Sequence, residues 1–245
     1  MKTLWINAGE VSGDLQGGAL LTALNSLTSQ ETLHVVGMGG DNLAKAGQKN
    51  LLRIEELSVM GLVEVLSSLP RVFRLLHRIR REMAKIRPDA VLLIDAPEFN
   101  FRVAKIAHSL NIPVYYFIPP KVWAWRTGRV KFLHRYVRRI FSILPFEVEF
   151  YRRLGMEVTY VGNPLVDLVN YEAIKDILPQ KGRIGLMPGS RRKEVDSLLP
   201  AFSGTADILL QKFPSLEFHC IRSSNFSEEY LRSLWHSHAP LYMQD

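Results

Sequence analysis

Ala90-Val91-Leu92-Leu93-Ile94-Asp95-Ala96-Pro97-Glu98-Phe99-Asn100 opens on five apolar residues and stops at a polar turn that carries a proline. A strand with no polar face is buried on both sides, as in a parallel sheet covered by helices. Similar apolar runs occur at Thr3–Ala8, Leu33–Val36, Val114–Ile118, Ile140–Leu144 and Val158–Val161. Helical patterns separate most of them; Leu20, Leu21, Leu24 and Leu27 give one over Leu15–Leu27. Strands alternating with helices predict an α/β fold with a parallel sheet. After Gly162-Asn163-Pro164 a polar stretch runs to Gly182, and the pattern restarts. Arg183–Met187, Leu216–Ile221 and Leu241–Met243 read as strands, with helices over Glu194–Phe213 and Asn225–His236.

The chain has 245 residues, 47% of them hydrophobic, which excludes disordered and collagen-like classes. The single cysteine, Cys220, cannot form an internal disulfide and suits a reducing compartment. The apolar run at Thr3–Ala8 is too short for a secretory h-region and is followed by Glu10 and Asp14. Ile106–Pro120 lacks charged residues but contains three prolines, and a spanning helix needs about 20 apolar residues.

The net charge of +7 is unevenly spread. Residues 71–87 carry seven basic residues and one acid, residues 121–139 carry seven and none, and the remaining 209 residues are net acidic. Such segments suit phosphate, nucleic acid or an anionic membrane surface. In the first, Val72, Leu75, Leu76, Ile79, Met83 and Ile86 form one face of a helix, with Arg71, Arg74, Arg78, Arg81 and Lys85 on the other. An apolar stretch, Val59-Met60-Gly61-Leu62-Val63-Glu64-Val65-Leu66, precedes it. The helix reads either as packed on the sheet with a solvated basic face, or as a surface that meets anionic lipid. The second segment sets Trp123 and Trp125 beside Arg126 and Arg129, which fits core packing, a membrane interface or single-stranded nucleic acid.

Ligands of open α/β sheets bind beyond the carboxyl ends of the strands. Three turns qualify: Gly9–Asp14, Asp95–Asn100 and Pro188–Arg192. There is no P-loop, and Gly37-Met38-Gly39 starts a dinucleotide fingerprint that fails at Asn42. Asp95 is open to two readings, a cap of the following helix or a general base toward a substrate hydroxyl. Ser190 and Arg191 are likewise either a helix cap with a solvated arginine or a phosphate site at a helix start.

The segments AGEVSGDLQGGAL (8–20), LSVMGLVEVL (57–66), LLIDAPEFN (92–100), PPKVWAWR (119–126), LPFEVEFY (144–151) and LMPGSRRKEV (186–195) occur in that order. Together they resemble the lipid-A-disaccharide synthases, family 19 glycosyltransferases of Gram-negative bacteria. The resemblance implies a GT-B fold: a complete N-terminal Rossmann-like domain over 1–164, a linker over 165–181, and the first part of a second, donor domain over 182–245. It implies inverting transfer of 2,3-diacylglucosamine from its UDP derivative to the 6-hydroxyl of 2,3-diacylglucosamine 1-phosphate (lipid X), giving a β-1,6 disaccharide and UDP. Asp95 then matches the family's essential aspartate, and Arg191, with Ser190, the P-G-S-R positions expected at the donor. Glu10, Ser12, Asp14, Met60 and Asn100 fall at positions expected to bind substrate. Val59, Met60, Leu62, Val63 and Leu66, with Arg71, Arg74, Arg78 and Arg81, fall at the expected acyl-chain and membrane contact.

The resemblance further implies no cofactor or metal, a cytoplasmic protein peripheral to the inner membrane, and a homodimer in the full-length protein. Two features depart from the family pattern. Phe117-Ile118-Pro119-Pro120-Lys121 lacks the serine usual before V-W-A-W, and family chains run much longer. The expectation is therefore a chain lacking most of the donor domain, with little transferase activity by itself. The alternatives are a non-catalytic module that binds lipid or a membrane surface and, less in keeping with the motif order, a nucleic-acid-binding protein.

Overall fold

A computed structural model of the chain describes residues 1–27, 33–58, 65–123, 128–223 and 225–244. They form two units, Met1–Tyr171 and Glu172–Asp245. The division falls inside the polar stretch that the sequence marks as a linker.

The first unit runs β1 (Lys2–Ala8), α1 (Val11–Leu27), β2 (Leu33–Gly39), α2 (Asp41–Lys45), β3 (Lys49–Arg53), α3 (Glu55–Ser58) and α4 (Val65–Ile86). It continues through β4 (Ala90–Ile94), α5 (Pro97–Ser109), β5 (Val114–Phe117), α6 (Arg129–Tyr136), β6 (Arg139–Ser142), α7 (Pro145–Arg153), β7 (Val158–Tyr160), α8 (Leu165–Leu168) and α9 (Tyr171–Ile174), the last crossing into the second unit. Its seven strands lie in the order β3-β2-β1-β4-β5-β6-β7, and every pairing is parallel.

Alternation along each strand supplies two cores. Trp5, Val91, Leu93, Val114 and Tyr116 face one side, where Leu75, Ile79 and Met83 of α4, Phe99 and Val103 of α5 and Tyr151 of α7 close over them. Ile6, Ala8, Leu92, Ile94 and Phe117 face the other, against Leu21 of α1 and Leu43 of α2. The apolar face of α4 is thus the packed face that its periodicity predicts.

The second unit continues with β8 (Arg183–Leu186), α10 (Arg192–Lys212), β9 (Glu217–Ile221), α11 (Glu228–Ser233) and β10 (Leu241–Gln244). Its strands form a parallel sheet in the order β10-β9-β8 around Val195, Leu199, Phe218, Cys220 and Leu231.

Three readings of the sequence are corrected. Strand β3 was not foreseen: only Leu51 and Leu52 are apolar in it, and it lies at the sheet edge. Helix α1 begins at Val11 rather than Leu15, because the Asp14 N–H already bonds to the Glu10 carbonyl at 3.0 Å. Strand β2 runs on to Gly39 rather than ending at Val36, so Gly37 and Gly39 lie inside it. The ladder slips between Gly37 and Met38, and a Cβ on Gly37 would lie 1.9 Å from the Ile6 carbonyl oxygen.

Candidate functional site

The strand order reverses between β1 and β4, and parallel sheets bind ligands beyond their carboxyl ends at such a switch point. Ala8 pairs with Ile94, so the two turns that follow lie side by side. Their approach requires glycine at position 9, where a Cβ would sit 2.6 Å from that of Ala96. Ser12, exposed in the first turn of α1, donates to Asp95 Oδ2 across the switch point at 3.4 Å. Asp95 is half-buried, so it is not sealed from solvent.

The backbone at Asp95 is unusual. Asp95 (φ 50°) and Ala96 (φ 43°) are consecutive non-glycine residues in the left-handed region. Each such residue costs roughly 1–3 kcal/mol and persists only where its surroundings impose it. Here they do. The Asp95 carbonyl accepts from Tyr116 Oη at 2.7 Å and from Asn100 Nδ2 at 2.8 Å. Asn100 Nδ2 also reaches the Ile94 carbonyl at 3.0 Å, and Asn100 Oδ1 accepts from Asn7 Nδ2 at 2.8 Å. Asn7 Oδ1 in turn accepts from Trp5 Nε1 at 3.3 Å. Burial, then the nearby Asp95 charge, push the Tyr116 phenol well above its ordinary pKa, so it stays a donor.

Asn100 is therefore wholly buried and engaged beneath the turn, not facing a substrate as the sequence reading had it. Asp14 is corrected in the same way. It is buried, and its carboxylate accepts from the N–H groups of Gly40 (2.6 Å), Asn42 (2.9 Å) and Leu43 (3.2 Å) and from Asn42 Nδ2 (2.9 Å). It caps the start of α2. Glu10 remains exposed in the β1–α1 turn. Asn7 and Tyr116 were missed; their signal was a polar residue and a phenol inside otherwise apolar strands.

The turn after β5 is pinned from below. Ile118 adopts φ 59°, the Pro120 carbonyl accepts from Tyr151 Oη at 3.0 Å, and Trp123 Nε1 donates to the buried Glu147 carboxylate at 2.9 Å. Burial, with a smaller contribution from Glu147, raises the Tyr151 pKa and keeps that donor protonated. Trp123 also meets Phe146 edge to face, 4.9 Å between ring centres. Beside Asp95, Glu98 pairs with Arg129, which lies over the Phe101 ring.

On α4, Arg71 and Arg74 are exposed and flank Phe73, itself 65% exposed. Arg78 is instead half-buried in an ion pair with Glu56, and Arg81 pairs with its neighbour Glu82 at 3.1 Å. Val59, Met60, Leu62 and Val63 lie outside the described residues, as do Trp125 and Arg126, and the Leu66 side chain is not described. Among the described residues no helix is long and apolar enough to cross a membrane.

In the second unit, Ser190 is exposed, and Arg191, not Ser190, is the residue that precedes α10. Glu194 accepts from the Arg191 N–H at 3.3 Å and from its guanidinium at 3.2 Å. Gly189 (φ 108°) sits under that carboxylate, where a Cβ would meet Glu194 Oε2 at 2.6 Å. A cavity of about 800 Å³ lies along α1 against Leu92, Phe117 and Phe141, and its lining includes neither Ser12 nor Asp95.

The fold is α/β of the GT-B type, and its first unit is a parallel sheet of this order with Asp95 beyond the switch point. The family model for lipid-A-disaccharide synthetase matches residues 4–241, and the chain belongs to that family. It is 40% identical over 222 residues to a lipid-A-disaccharide synthase of Geobacter sulfurreducens, covering 88% of this chain and 57% of the relative. For the synthase of Koribacter versatilis the figures are 39% over 213 residues, 84% and 56%. The chain thus spans less than three fifths of the length of these relatives.

Among solved structures, MnaA of S. aureus with UDP matches at TM-score 0.68 and 14% identity. It covers 100% of this chain and 69% of that one. UDP-GlcNAc 2-epimerase of Neisseria meningitidis, bound to UDP-GlcNAc, matches at 0.66 and 13%, with 100% and 72% covered. At these identities the likeness concerns the fold alone.

Proposed function

We propose that the chain carries the acceptor-activating half of an inverting glycosyltransferase of lipid A biosynthesis. The observation that carries this reading is the Asp95 carboxylate, solvent-accessible on a strained turn at the switch point of the first sheet. The acceptor is 2,3-diacylglucosamine 1-phosphate and the donor UDP-2,3-diacylglucosamine. As the acceptor 6-hydroxyl attacks the anomeric carbon, its proton passes to Asp95, the bond from that carbon to the diphosphate oxygen breaks, and UDP leaves with the electron pair. General base catalysis of this kind contributes typically ~10²–10⁴-fold in rate. Ser12 holds Oδ2, and exposed Glu10 stands in the same turn to contact the sugar.

In the second unit, the guanidinium of Arg191 and the amides opening the 21-residue α10 suit a diphosphate. Arg191 would exchange Glu194 for the donor's phosphates. Arg71, Arg74 and the exposed Phe73 ring suit an anionic membrane surface from which acylated substrates are drawn. Peripheral attachment at the inner membrane belongs to the same reading, as does a homodimer of the full-length protein.

The test is to incubate the full-length polypeptide with both substrates and follow products by mass spectrometry. Disaccharide 1-phosphate and UDP in equal amounts are expected. Lipid binding without any product would replace the reading with a non-catalytic lipid-binding module.

A further inference from the structure

We infer that Tyr116, Asn100 and Asn7 are positioning residues for the Asp95 carboxylate, an inference that rests on Asp95 acting as the base. None of the three can touch substrate, since each is fully buried. What they hold is the backbone. Two consecutive left-handed residues would relax if left to themselves, and a relaxed turn would point the Asp95 side chain elsewhere. Both donors to the Asp95 carbonyl come from this group, Tyr116 at 2.7 Å and Asn100 at 2.8 Å.

The grip of Asn100 is itself fixed. One amide hydrogen bond goes to Asp95 and another to Ile94 (3.0 Å), while its oxygen is held by Asn7 at 2.8 Å. Asn7 is then held by Trp5 at 3.3 Å. The path is anchored in the two central strands, β1 and β4, with Tyr116 reaching in from β5. Such a network serves a carboxylate whose direction matters, because proton transfer requires hydrogen-bond reach to the reacting hydroxyl.

The experiment compares Tyr116→Phe with Asp95→Asn in the full-length protein. Tyr116→Phe removes one hydrogen bond and keeps the ring. It is expected to lower kcat tenfold or more, to leave KM for both substrates within twofold, and to keep a cooperative thermal transition. It should also shift the backbone ¹³C resonances of Asp95 and Ala96 away from left-handed values. A merely structural role would move the melting temperature without the kcat-only loss or that shift. Should Tyr116→Phe not fold, Asn7→Ala, which frees Asn100, takes the same measurements with the same expectation. Unchanged kcat and unchanged resonances, with Asp95→Asn inactive, would overturn the positioning role alone. Near-normal turnover of Asp95→Asn would overturn the base, and with it this inference.

Discussion

The Asp14 carboxylate accepts three backbone N–H groups at the start of α2 and lies buried between α1 and that helix. Asp95 follows a central strand, yet among the described residues its carboxylate takes a single long hydrogen bond, from Ser12, and the residue is only half-buried. An anion at a helix N-terminus with several N–H partners is stabilising, and hydrogen bonds to charged groups contribute about 1.5–3 kcal/mol each. Asp14→Ala is therefore expected to cost on the order of 3 kcal/mol in urea unfolding, while the molecules that remain folded keep their substrate affinity. Equal stability of the variant would contradict the capping role. The sequence places both aspartates in turns able to bear chemistry but cannot separate them, because the donors that claim Asp14 lie some 26–29 residues away. The strain at Asp95 and Ala96 is nearly as silent in the sequence: aspartate visits positive φ more readily than most residues, but alanine gives no sign of it.

Helix α4 shows what periodicity can and cannot disclose. Its apolar stripe is legible because one face meets the sheet: Leu75, Ile79 and Met83 are buried, and Val72, Leu76 and Ile86 pack at the margin. The basic stripe is less uniform than the spacing suggests. Arg78 is drawn into an ion pair with Glu56 of α3, a partner invisible to helical spacing. Among the described residues, the exposed Arg71 and Arg74, beside Phe73, are thus well placed to meet lipid headgroups. Near an anionic surface each such charge is worth about 1 kcal/mol. Reversing both, as Arg71→Glu with Arg74→Glu, should weaken binding to vesicles rich in anionic phospholipid by tenfold or more. The effect should fade at high salt, and the melting temperature should stay unchanged, since both side chains are exposed. Equal vesicle binding by this double variant would remove α4 as the membrane contact. The edge strand β3 escaped the sequence reading for a related reason. Lys49, Asn50 and Arg53 surround its two leucines, and at an edge only partial burial is demanded of it.

Among the described residues, the first unit has a core on each face of its seven-stranded sheet and the second has its own around Val195, Leu199 and Phe218. Along the connection between the units, Leu165, Val169, Tyr171, Ile177 and Leu178 are exposed, with Leu178 81% exposed. Exposed connections of this kind are favoured sites of proteolytic nicking. Limited proteolysis should cut between residues 165 and 181, and residues 1–171 produced alone should melt cooperatively. Cleavage first within β1–β7 would contradict that division. Fold class was legible because strands buried on both faces must be apolar and must be joined by covering helices. The site was legible only in part: Asp95 and Ser12 stand out at strand ends, whereas Asn7, Asn100 and Tyr116 gain their role from partners brought together by the sheet. Whether Asp95 takes the acceptor proton at the switch point is read most directly from disaccharide formation by the full-length protein carrying Asp95→Asn, with thermal melting as the control for folding. A loss of at least a hundredfold in turnover at an unchanged melting temperature is expected, and turnover within a few fold of the unsubstituted protein would contradict the account.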